Sequence, residues 1–413
     1  MDINTQQAEN NNSKLIRLFM IVIAMTGLAM GLSDAVFSNY FRDAYYVDAF
    51  ARGLIEFPRE FPGVICVFIV SILAWLGDIR LAIIAQGLMI IGLIILGLFT
   101  PIFGVMLVVL FVNSLGMHMF MPLSDSIGLS LAKKGGFGTI MGKFNGVRTA
   151  FAMLAAILVF IGFRVGFFSF TTPITVNFLI AAALLIVVLI CLILMLRIGG
   201  ESMKIQSGSR KINLVFRKKY TLYYLLAALF GARKQIMYVY GPWVLIELLD
   251  FGADTMSLLM IAGAAIGIFF LPAVGRWLDR YSVVRIIMVE EIAFILIYIV
   301  YGILSAILST DGVQAATVVI AIAFVINIAD RTTMQFGMLR TVYMRSIAIK
   351  PEDVTPTLST GMALDHILSI LSAFLCGFIW REWGPQYVFV FAILLCVGNI
   401  AVAWRIRKDE KQA

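Results

Sequence analysis

The sequence holds two histidines, His118 and His366, and each lies inside a long apolar run. His366 directly follows Asp365, and a carboxylate beside an imidazole tunes protonation near neutrality, which is the chemistry of carrying a proton. Other ionisable residues interrupt similar runs: Asp34, Glu56, Arg59, Glu60, Asp125, Arg148, Arg233, Lys234, Glu290, Glu291, Asp330 and Arg331. In lipid each charge costs at least about 2.5–3.5 kcal/mol on insertion scales, so each needs a partner, a ligand or a proton.

Two neighbouring cations, Arg233 and Lys234, suit an anionic or zwitterionic small molecule. Successive helical residues are rotated by about 100°, so one of the pair faces a cavity while the other faces away. Asp34, Tyr40, His118, Gln235, Tyr238 and Asn327 complete the expected binding set, because hydroxyls and amides orient small ligands. The same residue types also serve helix interfaces. A second set reads as coupling or gating: Asp330 and Arg331 with Asp365 and His366, and Asp125 with Arg148, each at matched depth in adjacent segments. The alternative for these pairs is charge pairing that holds helix ends together. Glu56 and Arg59, in the stretch EFPREFP, share one helix face near an outer segment end. Pro58 and Pro62 imply an irregular first turn there, suited to a gate or a solvated cap. Glu290 and Glu291 are expected to partner the basic loop that precedes them.

The elements that must position these residues follow from composition. The 413 residues are 61% apolar and only 14% charged, with a mean hydropathy of +0.98; a soluble chain is nearer 45–50% apolar and about 25% charged. The excess must face lipid. Apolar segments of spanning length occur at roughly 15–40, 53–76, 80–99, 104–131, 139–163, 174–196, 220–246, 255–275, 286–308, 315–339, 357–379 and 388–404. The fold class is therefore an all-α polytopic membrane protein with twelve transmembrane helices. Of 32 lysines and arginines, only Arg42, Arg52, Arg164 and Arg381 fall in loops of one side. That bias puts both termini on the cytoplasmic side and explains the +8 net charge without nucleic acid. Residues 1–14 read as a disordered N-terminus, 197–219 as a basic linker near anionic lipid, and 405–413 as a short tail. No cleavable signal precedes the first span. Cys66, Cys191, Cys376 and Cys396 lack regular spacing and read as buried hydrophobes.

The chain repeats itself at an offset of about 200 residues. GLSDAVFSNY from Gly31 aligns on GARKQIMYVY from Gly231, WLGDIR from Trp75 on WLDRYSVVR from Trp277, and SLAKK on SIAIK. The order is kept, so residues 15–196 and 220–404 read as two pseudo-symmetric six-helix bundles, with Asp34 and Lys234 at equivalent positions. An ion pair across the halves follows as an expectation.

GRWLDRYSVVR, from Gly275 to Arg285, resembles the signature loop of the major facilitator superfamily. Gly275, Asp279 and Arg280 match the pattern and Ser282 replaces its second glycine. The first-half copy is degraded, with Asp78 and Arg80 in shifted positions. The family's mid-membrane arginine in the fourth helix and its glycine–proline motif in the fifth are missing, although Gly138, Gly142 and Gly146 keep a close-packing spacing. The resemblance implies a monomeric secondary active transporter in a bacterial inner membrane, working by alternating access. Its solute is expected to be small and polar, anionic or zwitterionic, with proton coupling. No nucleotide loop, nucleophile motif or metal cluster appears, so no enzyme, cofactor or bound metal is expected. A divalent metal as cargo, or a non-transporting receptor, are the alternatives.

Overall fold

The computed structural model describes residues 3–131, 137–199, 217–310, 317–333, 336 and 339–412. Every regular element among them is helical. The chain separates into two compact units, one of Met1–Ala44 with Ile65–Ile212 and one of Tyr45–Val64 with Asn213–Ala413.

The first unit carries α1 (Ile3–Asp34), most of α2 (Phe37–Tyr45), the end of α3 (Ala49–Ile72), α4 (Asp78–Leu98), α5 (Phe103–Ser130), α6 (Phe137–Arg164) and α7 (Val176–Gly199). Inside it α1 packs along α6 and α7, and α4 along α5 and α7. Close approach on α6 comes from α1: a side chain at Gly27 or Gly31 would collide with the backbone of Arg148 and Ala152 or with Ala155. Gly142 and Gly146 have no described atom near enough to play that part. Gly77, at φ 82°, makes the sharp entry into α4 that a side chain would oppose. Asp78 follows in the first turn, where the helix N-terminus favours an anion, and accepts a hydrogen bond from Ser126.

The second unit carries the start of α3, then α8 (Thr221–Gln235), α9 (Gly241–Trp243), α10 (Ala253–Arg280), α11 (Val283–Leu308), α12 (Thr317–Thr333), α13 (Leu339–Ile347), α14 (Pro351–Trp383) and α15 (Pro385–Gln412). Here α8 packs on α14 and α15, and α11 on α12 and α15. The pairing scheme matches the first unit, with α8 in the place of α1, α11 of α4, α12 of α5, α14 of α6 and α15 of α7.

Nine described helices are long and apolar enough to cross a membrane, which makes this a multi-pass membrane protein. The expected spans 53–76, 220–246 and 315–339 are not among the nine. The first holds Glu56, Arg59 and Glu60, the second is interrupted by wider turns, and α12 is described for only 17 residues. Two expectations need correction. The helix of α1 takes in the polar segment from Ile3 onward instead of leaving it disordered. Pro58 and Pro62 lie well inside α3, which starts at Ala49, so the prolines do not mark its first turn. The linker expected at 197–219 falls mostly outside the described residues.

Candidate functional site

The seventh expected span does not run as one regular helix. After Gln235 the backbone widens into a π-turn over Ile236–Tyr240, tightens over Gly241–Trp243 and widens again over Val244–Leu248. Pro242 supplies the reason, because it has no N–H for the carbonyl one α-turn back and its ring crowds that carbonyl. The Gly241 N–H accordingly donates to Ile236 O, five residues earlier. Such π-turns recur at functional positions. Lys234 and Gln235 are the last residues before it.

Around them the second unit gathers a polar cluster from three helices. The Lys234 Nζ lies 2.7 Å from Asp365 Oδ2 of α14. His366 Nδ1 lies 2.6 Å from Glu60 Oε2 of α3. One turn along α3, Glu56 accepts from Arg52 at 2.5 Å, from Arg59 at 2.7 Å and from the Gln235 side-chain amide at 2.6 Å. Arg52, expected in an outside loop, is thus buried in α3. Lys234, Asp365, Glu60, His366 and Arg59 keep between 12 and 25% side-chain exposure, whereas Arg52 and Glu56 are sealed.

Small residues and serines set this geometry. A Cβ at Gly231 would strike the Asp365 backbone and carboxylate, and one at Gly63 would strike the His366 ring. Ser369 and Ser372 of α14 donate to the Gly231 and Ala232 carbonyls at 3.0 and 2.8 Å, clipping α14 onto α8. The phenol of Tyr240 adds a bond to the Ala373 carbonyl at 2.6 Å.

The neighbour of Lys234 points elsewhere. Arg233 is buried, 2.9 Å from Glu290 and 3.7 Å from Glu291 of α11. Arg340 of α13 completes a quartet, 3.2 Å from Glu290 and 3.5 Å from Glu291. The guanidinium of Arg233 also sits 3.6 Å from the centre of the Phe294 ring, and that of Arg340 sits 3.8 Å from Phe230. Glu290 and Glu291 were expected to hold the signature loop; their described ion pairs are with Arg233 and Arg340 instead.

The remaining residues of the second unit divide. Asn327 donates to the Tyr301 hydroxyl at 3.3 Å and accepts from Arg331 at 3.1 Å, and Asp330 is buried nearby. The described ion pairs of Asp365 and His366 therefore go to α8 and α3, not to Asp330 and Arg331. Tyr238 is exposed and stands in electrostatic range of Lys234, Glu60, Asp330 and Arg331. Of the signature residues, Gly275, Asp279 and Arg280 lie in the last turns of α10. Arg280 is exposed; the side-chain surroundings of the other two lie outside the described residues. Ser282, in place of the usual glycine, caps α11 by accepting from the Arg285 N–H.

In the first unit Asp34 ends α1 and is exposed. Tyr40 is buried among Phe41, Phe170 and Phe178. His118 shares hydrogen bonds with the carbonyl and hydroxyl of Ser114, one turn back. Asp125 and Arg148 come together at 3.8 Å, with Arg148 also donating to Ser124 at 3.2 Å. Arg80 is exposed. Among the described residues no three His, Cys, Asp or Glu side chains are grouped to hold a metal ion.

Reading the sequence missed Arg52, Arg340 and the pairing of Glu60. Both arginines sit at span ends, where a cation reads as a topology signal. The glycines opposite Asp365 and His366 carry no signal in a single sequence.

Residues 19–351 match the sequence profile of the Major Facilitator Superfamily, and the chain belongs to that family. Its fold is shared with solved transporter structures. The nucleoside transporter NupG superposes with a TM-score of 0.72 at 14% identity, over 95% of this chain and 98% of its own. The POT family transporter PepTSo gives 0.68 at 12% identity, over 96% and 98%. A D-xylose-proton symporter gives 0.66 at 12% identity, over 95% and 96%. A comparison with curated protein sequences finds no match.

Proposed function

We propose that the chain is a secondary active transporter for a small polar organic solute, anionic or zwitterionic, and that proton binding drives it. In this reading twelve spans form two six-helix bundles, both termini are cytoplasmic, and the bundles alternate in giving the site access to either side of a bacterial inner membrane. The recurring packing scheme of the two units supports the duplication. Structural relatives named for nucleosides, peptide conjugates and xylose support a polar organic solute.

One observation carries the proposal: Lys234 with Asp365 and His366 with Glu60 form two close charge pairs that stay partly open to solvent. Arg52, Arg59 and Lys234 stand against Glu56, Glu60 and Asp365, three cationic side chains to three carboxylates, with His366 beside them. A negatively charged solute group would replace Asp365 as the partner of Lys234, and Gln235 and Tyr238 would orient it. Protonated His366, held by Glu60, would supply the coupling. Arg233, locked in its quartet, would hold α8 against α11.

The test is uptake by proteoliposomes under an imposed pH gradient, across nucleosides, dipeptides, amino acids, carboxylates and sugars. The proposal expects accumulation of at least one anionic or zwitterionic solute against its gradient. Accumulation of neutral sugars alone, unaffected by pH, would remove it.

A further inference from the structure

At one end of the second unit, α8, α13 and α15 leave a groove of about 750 Å³. Its walls are Leu222 and Leu225 of α8, Ile347 of α13, and Val402 and Ile406 of α15, with Tyr343 closing the inner side. Leu225 and Ala401 are exposed on the flank of the bundle. Three exposed cations stand at its mouth: Lys218 and Lys219, just before α8, and Arg405 near the end of α15. Among the described residues, the lining includes no acidic side chain.

The nearest basic neighbour of the two lysines is used differently. Arg217 lies 3.0 Å from Asp353, which also accepts from the Tyr220 hydroxyl at 2.7 Å. Among the described residues, Asp353 is thereby engaged by Arg217 and Tyr220 and does not line the groove. In the proposed topology all three cations belong to helix ends on the cytoplasmic side, and the aliphatic wall continues away from them along α8 and α15.

We propose that this groove binds one anionic phospholipid, its phosphate held by Lys218, Lys219 and Arg405 and its acyl chains lying along Leu222, Leu225, Val402 and Ile406. Charge complementarity selects the headgroup. The aliphatic wall selects a lipid over a free phosphate, which would leave that wall in water.

The experiment is native mass spectrometry of the full-length protein in mild detergent, titrated with dioleoyl phosphatidylglycerol, dioleoyl phosphatidylcholine or glycerol phosphate. Phosphatidylglycerol is expected to be retained at least about tenfold more tightly than phosphatidylcholine, with glycerol phosphate not competing. Each cation removed in Lys218→Ala, Lys219→Ala and Arg405→Ala should weaken retention by up to about fivefold. Ala401→Trp fills the groove while keeping every cation, and should also abolish retention; the charge-conserving Lys218→Arg/Lys219→Arg variant should keep it. Equal retention of the two lipids, displacement by glycerol phosphate, or undiminished retention in the triple-alanine or Ala401→Trp variant would overturn the assignment.

Discussion

The ammonium of Lys234 stands 2.7 Å from the carboxylate of Asp365, and Gly231, one turn before the lysine, is what lets α14 come so near. The pair joins the helix that leads into the π-turns to the helix that carries His366. Removing one member leaves the other charge poorly solvated, and such losses cost more than the pair contributes.

Asp365→Asn should therefore destabilise the protein by about 2–3 kcal/mol, less than for a fully buried pair because both groups keep some solvent access. Removing both charges together should restore much of that loss. Thermal unfolding of Asp365→Asn, Lys234→Gln and the double variant in detergent gives the comparison. Additive losses in the double variant would mean that the two residues do not act as a pair.

His366→Ala should abolish pH-driven accumulation while leaving downhill exchange intact. Its ring lies 2.6 Å from Glu60 in the part of the cluster that keeps some solvent access. Uptake with and without a pH gradient separates the two activities, and unchanged uphill uptake would take His366 out of the coupling scheme.

The two glycines should behave differently. Gly231→Ala drives a methyl into the backbone of α14 and should lower the melting temperature sharply. At Gly63 the three nearest atoms a methyl would meet all belong to the His366 ring, the end of a side chain that can turn, so Gly63→Ala should leave the fold intact and shift the pH profile of uptake. An unaltered profile in Gly63→Ala would show that the ring's contact with Glu60 is not needed.

Arg233→Ala should cost about 3–5 kcal/mol, since it leaves Glu290 and Glu291 in the interior with Arg340 as their one remaining described cation. In whatever fraction folds, solute affinity should be near normal. A folded Arg233→Ala protein with intact stability and lost binding would instead return Arg233 to the solute path.

Asp353, outside the membrane spans, adds a pH signature. The Tyr220 hydroxyl, and then the Arg217 guanidinium, hold its carboxyl below its ordinary value of 3.8. A carboxyl depressed in the folded state stabilises fully above its unfolded value, and that contribution disappears as pH falls through the folded one. The stability gap between the protein and Asp353→Asn should be present at neutral pH and close in acid below about 3.8. A gap independent of pH would contradict the linkage.

The all-helical, multi-pass character of the fold was legible because apolar length is a property of single segments. Lys234, Asp365 and His366 were legible for the same reason: a charge in an apolar run is costly enough to notice. Their partners were not. Glu60 and His366 are 306 positions apart, and nothing in either segment names the other. The two neighbours Arg233 and Lys234 were indistinguishable in sequence, and the rotation of α8 sends one to a sealed quartet and the other to the open cluster. Pro242 lies inside the seventh expected span, but whether a proline kinks, breaks or widens a helix depends on what packs around it. Tyr40 read as a polar aromatic for a cavity, while the density of phenylalanines around it decides its burial.

The most direct measurement is proton-driven uptake by proteoliposomes containing the protein or its Lys234→Gln/Asp365→Asn variant, which keeps the cluster neutral and should fold. The protein is predicted to accumulate an anionic or zwitterionic solute under an inward proton gradient, and the double variant to bind that solute at least about tenfold more weakly and not accumulate it. Equal accumulation by both would contradict the account.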